Sequence, residues 1–175
     1  TSLDMARVDP ASPAGRVDWP ALLARVLPQV DLFLPSLDEM LFMFHPAMLA
    51  EIESRPAGRG LAAEVGIERI SDLAGRMLAM GAAVVAFKLG QDGLYLRTTP
   101  DADRLKAAGR AFIDDSAPAG PLAGQPPIAR LRRGLACDTA SGGQWLNREL
   151  LAPCFLVELA GATGAGLNQH FTRRC

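Results

Sequence analysis

Ala82-Ala83-Val84-Val85-Ala86-Phe87-Lys88-Leu89-Gly90-Gln91-Asp92-Gly93-Leu94-Tyr95-Leu96-Arg97 decides the fold. Its first six residues are apolar without alternation, the pattern of a strand covered on both faces, as strands of a parallel sheet are. Immediately upstream, Ile70, Leu73, Ala74, Met77 and Leu78 recur at helical spacing, and Gly81 stands where such a helix needs a C-terminal stop. Downstream, Gly90 and Gly93 turn the chain into Leu94 to Arg97, which reads as a hairpin partner. An amphipathic helix feeding an apolar strand predicts an α/β fold with a mostly parallel sheet covered by helices on both faces.

The flanks extend this pattern. Thr1 to Asp4 reads as a short strand, and the chain opens on it without Met, so the sequence is expected to begin inside a fold and to hold only part of it. Asp18 is placed to cap a helix with Pro20 in its first turn and Trp19, Leu22, Leu23, Val26 and Leu27 at helical spacing; Pro28 ends it. Asp31 to Leu34 reads as a buried strand closed by Pro35, with a new helix starting at Ser36. Residues 99 to 144 carry Pro118, Pro121, Pro126 and Pro127, which interrupt any period, and read as one long loop with Arg130, Arg132 and Arg133 on a solvated face. A short helix over Trp145 to Leu151 is expected to lead into a strand at Cys154 to Val157 and then into Gly161-Ala162-Thr163-Gly164-Ala165-Gly166.

Composition excludes several classes. A formal charge of -1 gives no field that draws nucleic acid or an anionic membrane. The cysteines Cys137, Cys154 and Cys175 are odd in number and lack C-x-x-C spacing, and only His45 and His170 offer imidazole, so neither a disulfide framework nor a zinc site is expected and a reducing cytoplasm is the simpler setting. No run approaches the roughly 18 apolar residues of a membrane span.

Three short stretches can carry chemistry, and each has a plainer reading. The Gly-rich turn at 161 to 166, passing from strand to helix, points backbone N–H groups at whatever anion lies above it, or it is simple connection. It is not a Walker loop, because Leu167 and Asn168 stand where Lys and Ser or Thr belong, and the dinucleotide fingerprint fails at Gln169. Ser36-Leu37-Asp38-Glu39 is a helix capping box, which alone accounts for both end residues; alternatively Glu39, at the mouth of a parallel strand, holds a magnesium ion through water. Lys88, one of two lysines, is a solvated charge at a strand end or part of a K-x-G-x-x-G turn where α/β folds bind ligands.

The order of these elements resembles the C-terminal half of PfkB-family (ribokinase-like) carbohydrate kinases: a strand into P-S-x-D-E, then V-V-A-F-K-L-G-x-D-G-L-Y-L, then R-E-L-x-A-P-C-F, then G-A-T-G-A-G. The resemblance covers residues 1 to 166 as a partial kinase domain and leaves 167 to 175 as a divergent tail. It implies a ribokinase-like fold that transfers the γ-phosphate of ATP to a sugar hydroxyl with magnesium. Gly164, Ala165 and Gly166 would form the anion hole, while Lys88, Gly90, Gly93 and Thr163 would lie along the nucleotide. Glu39 would organise the metal, although Ser36 replaces the Asn of the family's N-x-x-E motif. The family's catalytic base follows the glycines as Asp, and here Leu167 occupies that position. An aliphatic side chain accepts no proton, so the chain is expected to be an inactive fragment, its tail arising from truncation or a shifted reading frame. A non-catalytic nucleotide- or phosphate-binding module is the alternative.

Overall fold

A computed structural model of the chain describes residues 1–55, 60–109 and 145–152. The expected strand at 154 to 157, the glycine-rich turn, Thr163, Leu167 and the arginine cluster at 130 to 133 lie outside them.

Strand β1 (Ser2–Leu3) is followed by a 3₁₀ turn (Pro13–Arg16) and helix α1 (Trp19–Val26). Asp18 caps α1 as its sequence predicts, accepting a hydrogen bond from the Ala21 N–H at 3.1 Å. A second 3₁₀ turn containing Pro28 ends the helix and leads to β2 (Leu32–Phe33). Helices α2 (Leu37–Phe44), α3 (Pro46–Glu53), α4 (Leu61–Val65) and α5 (Ile67–Ala79) then precede β3 (Val84–Lys88). A tight 3₁₀ turn at Gly90–Asp92 joins β3 to β4 (Leu94–Thr98), followed by α6 (Ala102–Ala108) and, after the undescribed residues, β5 (Glu149–Ala152).

The five strands form one sheet in the order β1-β2-β3-β4-β5. β1, β2 and β3 run parallel, with Leu3, Phe33 and Val85 in register, and β4 and β5 extend this parallel core in antiparallel fashion. The α/β class expected from the sequence is the class observed. Helices α1 to α5 and the 3₁₀ turn after α1 bury Leu23, Leu27, Met40, Leu41, Ile70, Leu73 and Met77 against one face of the sheet, which supplies Phe33, Phe87 and Tyr95. On the other face, Leu105 of α6 packs with Val84, Leu96, Trp145 and Leu146. Burial of each large apolar side chain is worth about 1.5–3 kcal/mol, so the first face dominates the stability of the described part.

Gly81 has φ of +112°, and a Cβ there would stand 2.8 Å from the Cα of Pro28. Only glycine lets α5 stop and turn into β3 while pressed against that backbone.

Two expectations are corrected. Residues 99 to 144 are not uniformly loop, because α6 occupies Ala102–Ala108, capped by the Asp101 carboxylate on the N–H groups of Asp103 and Arg104, each at 3.0 Å. The stretch Trp145 to Leu151 is not a helix: residues 145–147 form a turn with Asn147 at φ +50°, and β5 follows. The exposed edge of β4 decides this. Thr98 N–H donates to the Arg148 carbonyl at 2.9 Å and the Arg148 N–H donates to Thr98 Oγ1 at 2.8 Å, so pairing with β4 overrides the helical propensity of Arg-Glu-Leu-Leu.

Candidate functional site

Because β1, β2 and β3 are parallel, their carboxyl ends lie side by side, with polar residues at or just beyond them: Asp4 after β1, Ser36 three residues past β2, and Lys88 as the last residue of β3. Lys88 N–H donates to the Pro35 carbonyl at 3.0 Å, and Ser36 makes a parallel bridge with Lys88, so the end of β3 is locked to the start of α2. This edge, outside the carboxyl ends of the strands, is where open α/β sheets place ligands.

Lys88 Nζ lies 2.6 Å from Asp4 Oδ1, spanning β2 to join the ends of β1 and β3. Asp4 is held below the usual carboxylate range, first by this hydrogen bond from Lys88 and further by the Met5 N–H, against an opposing effect of burial. Both side chains are substantially exposed, so the pair adds little to stability. Sequence reasoning missed Asp4. The signal was an acid directly after the short strand Ser2–Leu3, opposite in charge to the Lys88 that ends β3.

Glu39 is buried at 7% exposure and its Oε2 accepts from the Ser36 N–H at 2.7 Å, the Glu half of the capping box that the sequence predicts. One oxygen is therefore engaged at the helix start. A magnesium ion keeps several waters and takes one or two carboxylates, and Glu39 is the buried carboxylate at this edge among the described residues. Among the described residues, no group of three or more His, Cys, Asp or Glu forms a metal cage. Nearby, Arg7 pairs with Glu53 at 2.6 Å and approaches Asp38 at 3.8 Å, tying the segment after β1 to α2 and α3.

The turn after Lys88 is closed by Leu89 N–H to the Gly93 carbonyl at 2.8 Å. Gly90 (φ +62°) and Gly93 (φ +99°, ψ -137°) both take conformations that suit glycine, and a Cβ at Gly90 would meet nothing within 4 Å. The structure thus brings Glu39, Lys88, Gly90 and Gly93 to one edge of the sheet, with Asp4 added. Thr163, Gly164, Ala165 and Gly166 lie outside the described residues.

No protein-family model and no curated protein matches the chain. Among solved structures it is similar to a pyridoxal kinase from Staphylococcus aureus in complex with AMP-PCP, at 20% identity and a TM-score of 0.32, over 55% of this chain. The match spans 31% of that kinase, and the functional reading rests instead on the residues at the strand ends. No helix among the described residues is long and apolar enough to cross a membrane.

Proposed function

We propose that residues 1 to 166 are part of a kinase-type α/β domain that takes ATP with magnesium and, when complete, phosphorylates a sugar hydroxyl, and that this chain is itself inactive. The observation that carries the reading is the Lys88 turn at the carboxyl end of β3, hydrogen-bonded to the segment that starts the Glu39 helix. A lysine at the end of a parallel strand, followed by a glycine turn, supplies a charge and close backbone approach for phosphate oxygens. In this reading Lys88, Gly90, Gly93 and Thr163 lie along the nucleotide, Glu39 reaches the metal through water, and Gly164, Ala165 and Gly166 receive the transferring phosphate. Leu167 stands where a base is needed and supplies none.

A non-catalytic phosphate-binding role is the second reading, and it draws on the same Leu167 and on the engagement of Glu39 in its helix cap. Titration calorimetry with ATP and magnesium, on the unmodified chain and Lys88→Ala, tests what both share. Saturable binding that Lys88→Ala weakens about threefold or more supports a phosphate site at the strand ends. Equal binding, or none, by the two folded proteins overturns it.

A further inference from the structure

Away from the strand ends, α2, α3 and α5 border an open surface cleft of about 430 Å³ lined by Leu41, His45, Met48, Arg69, Asp72, Leu73 and Arg76. Its volume falls in the range of small-molecule sites. Leu41 and Leu73 are buried and Met48 half-buried, so the floor is apolar, whereas His45, Arg69, Asp72 and Arg76 stand exposed around it. Residues 69, 72, 73 and 76 share one face of α5 because they are spaced three and four apart.

The state of the two guanidinium groups is informative. Arg76 sits over the Phe44 ring, its Cζ 4.7 Å from the ring centroid. Arg69 Nη1 lies 3.6 Å from the Met48 sulfur. An aromatic face and a thioether hold a guanidinium in place without neutralising it. Asp72 lies between the two on the same helix face, yet among the described residues neither arginine forms an ion pair with it or with any other carboxylate. A guanidinium stacked on a ring keeps its in-plane N–H groups available for a bidentate oxyanion.

We infer that this cleft is a second ligand site, separate from the strand-end edge, that takes a small organic anion: a phosphate, sulfonate or carboxylate head between Arg69 and Arg76, and an aromatic or short aliphatic body over Leu41, Met48 and Leu73. The single acid in the lining favours a ligand of low charge over a polyphosphate.

The test uses the full chain with its six methionines labelled at the methyl carbon, the Met48 signal being assigned by Met48→Leu. The probes are 1-naphthyl phosphate, inorganic phosphate and 1-naphthol. The expected result is a saturable shift of the Met48 signal with 1-naphthyl phosphate that Arg69→Gln and Arg76→Gln each weaken by about five- to tenfold, with Arg76→Lys weakening it less. Inorganic phosphate and 1-naphthol should each bind at least about tenfold more weakly, since each lacks half of the recognition. Lys88→Ala should leave the Met48 titration unchanged, which separates this site from the one proposed above. An unmoved Met48 signal, equal shifts with 1-naphthol, or undiminished binding by the two folded glutamine variants would each overturn the inference. So would a Met48 shift produced by an acidic helical peptide and not by the small anion, which would make the cleft a protein-docking groove.

Discussion

Arg104 Nη1 lies 2.8 Å from Asp31 Oδ1 and its Nη2 lies 2.7 Å from the Val30 carbonyl, so one side chain ties α6 to the entrance of β2. Its Nε also donates to the Gly81 carbonyl at 2.9 Å, at the entrance of β3. Three acceptors on two strand entrances thus depend on one partly buried guanidinium. Arg104→Ala should lower unfolding stability by about 2–3 kcal/mol, measured by chemical denaturation, and Arg104→Lys should recover little, because a single ammonium cannot match the fork. The Asp31 carboxyl is held well below its usual range, by the amine of Thr1 first and by Arg104 next. A depressed folded value means that this contribution is full above the unfolded value near 4 and is lost as pH falls through the folded one. Acid titration should therefore destabilise the unmodified chain more steeply than Arg104→Ala.

Gly81→Ala should cost about 2 kcal/mol or more, as a positive φ is combined with a 2.8 Å approach to the Pro28 backbone. Gly66→Ala provides the comparison. That residue has φ of +82° and ψ of 147° with nothing within 4 Å of a Cβ, so only conformational strain of about 1–3 kcal/mol applies. Equal losses in the two thermal transitions would mean that the Pro28 contact relaxes freely.

Tyr95 is buried at 1% exposure, stacked 6.1 Å from Phe87, with its hydroxyl donating to Glu149 Oε1 at 2.7 Å. Tyr95→Phe keeps the ring and removes the bond, so a loss of about 1–1.5 kcal/mol is expected, together with faster amide exchange in β5 than in β3. Burial, foremost, pushes the Tyr95 phenol far above its ordinary value. A raised folded value means that its contribution is full below the unfolded value near 10 and declines above it. The Phe variant should lack this alkaline decline.

Asp4 competes with any phosphate for Lys88. Asp4→Asn should raise the affinity for phosphate-bearing ligands at the strand ends by about two- to fivefold, since a carboxylate next to the anion is removed. Calorimetry showing weaker binding would instead make Asp4 a group that positions the lysine.

No sugar-dependent ADP release is expected from the chain in a coupled assay, and Leu167→Asp alone should not restore it. A positioned base is worth about 10²- to 10⁴-fold, whereas phosphoryl transfer depends chiefly on orientation and electrostatic stabilisation by many groups. Turnover by the unmodified chain would overturn the assignment of the base position.

What the sequence made legible was local. The Asp18 cap, the Ser36–Glu39 box, the Ala82 to Phe87 run and the Gly81 stop are each set by neighbours within a few residues, and all stand in the structure. β5 was not legible, because Glu149 to Ala152 becomes a strand only through the partner edge of β4, and a four-residue segment has no periodicity of its own to show it. α6 carried a readable cap in Asp101, masked by the prolines further along. Asp4 required knowing that two strand ends 84 residues apart meet over β2.

Among the described residues, strand order in the sheet equals strand order in the chain, and each strand after β1 hydrogen-bonds to the one before it. Each described strand after β1 can therefore be added to an edge that its predecessor already presents. Arg104 is made after both entrances it binds, so the fork closes like a latch on strands already laid down. Loss of the latch should therefore show itself in faster opening of the finished sheet more than in slower pairing of its strands.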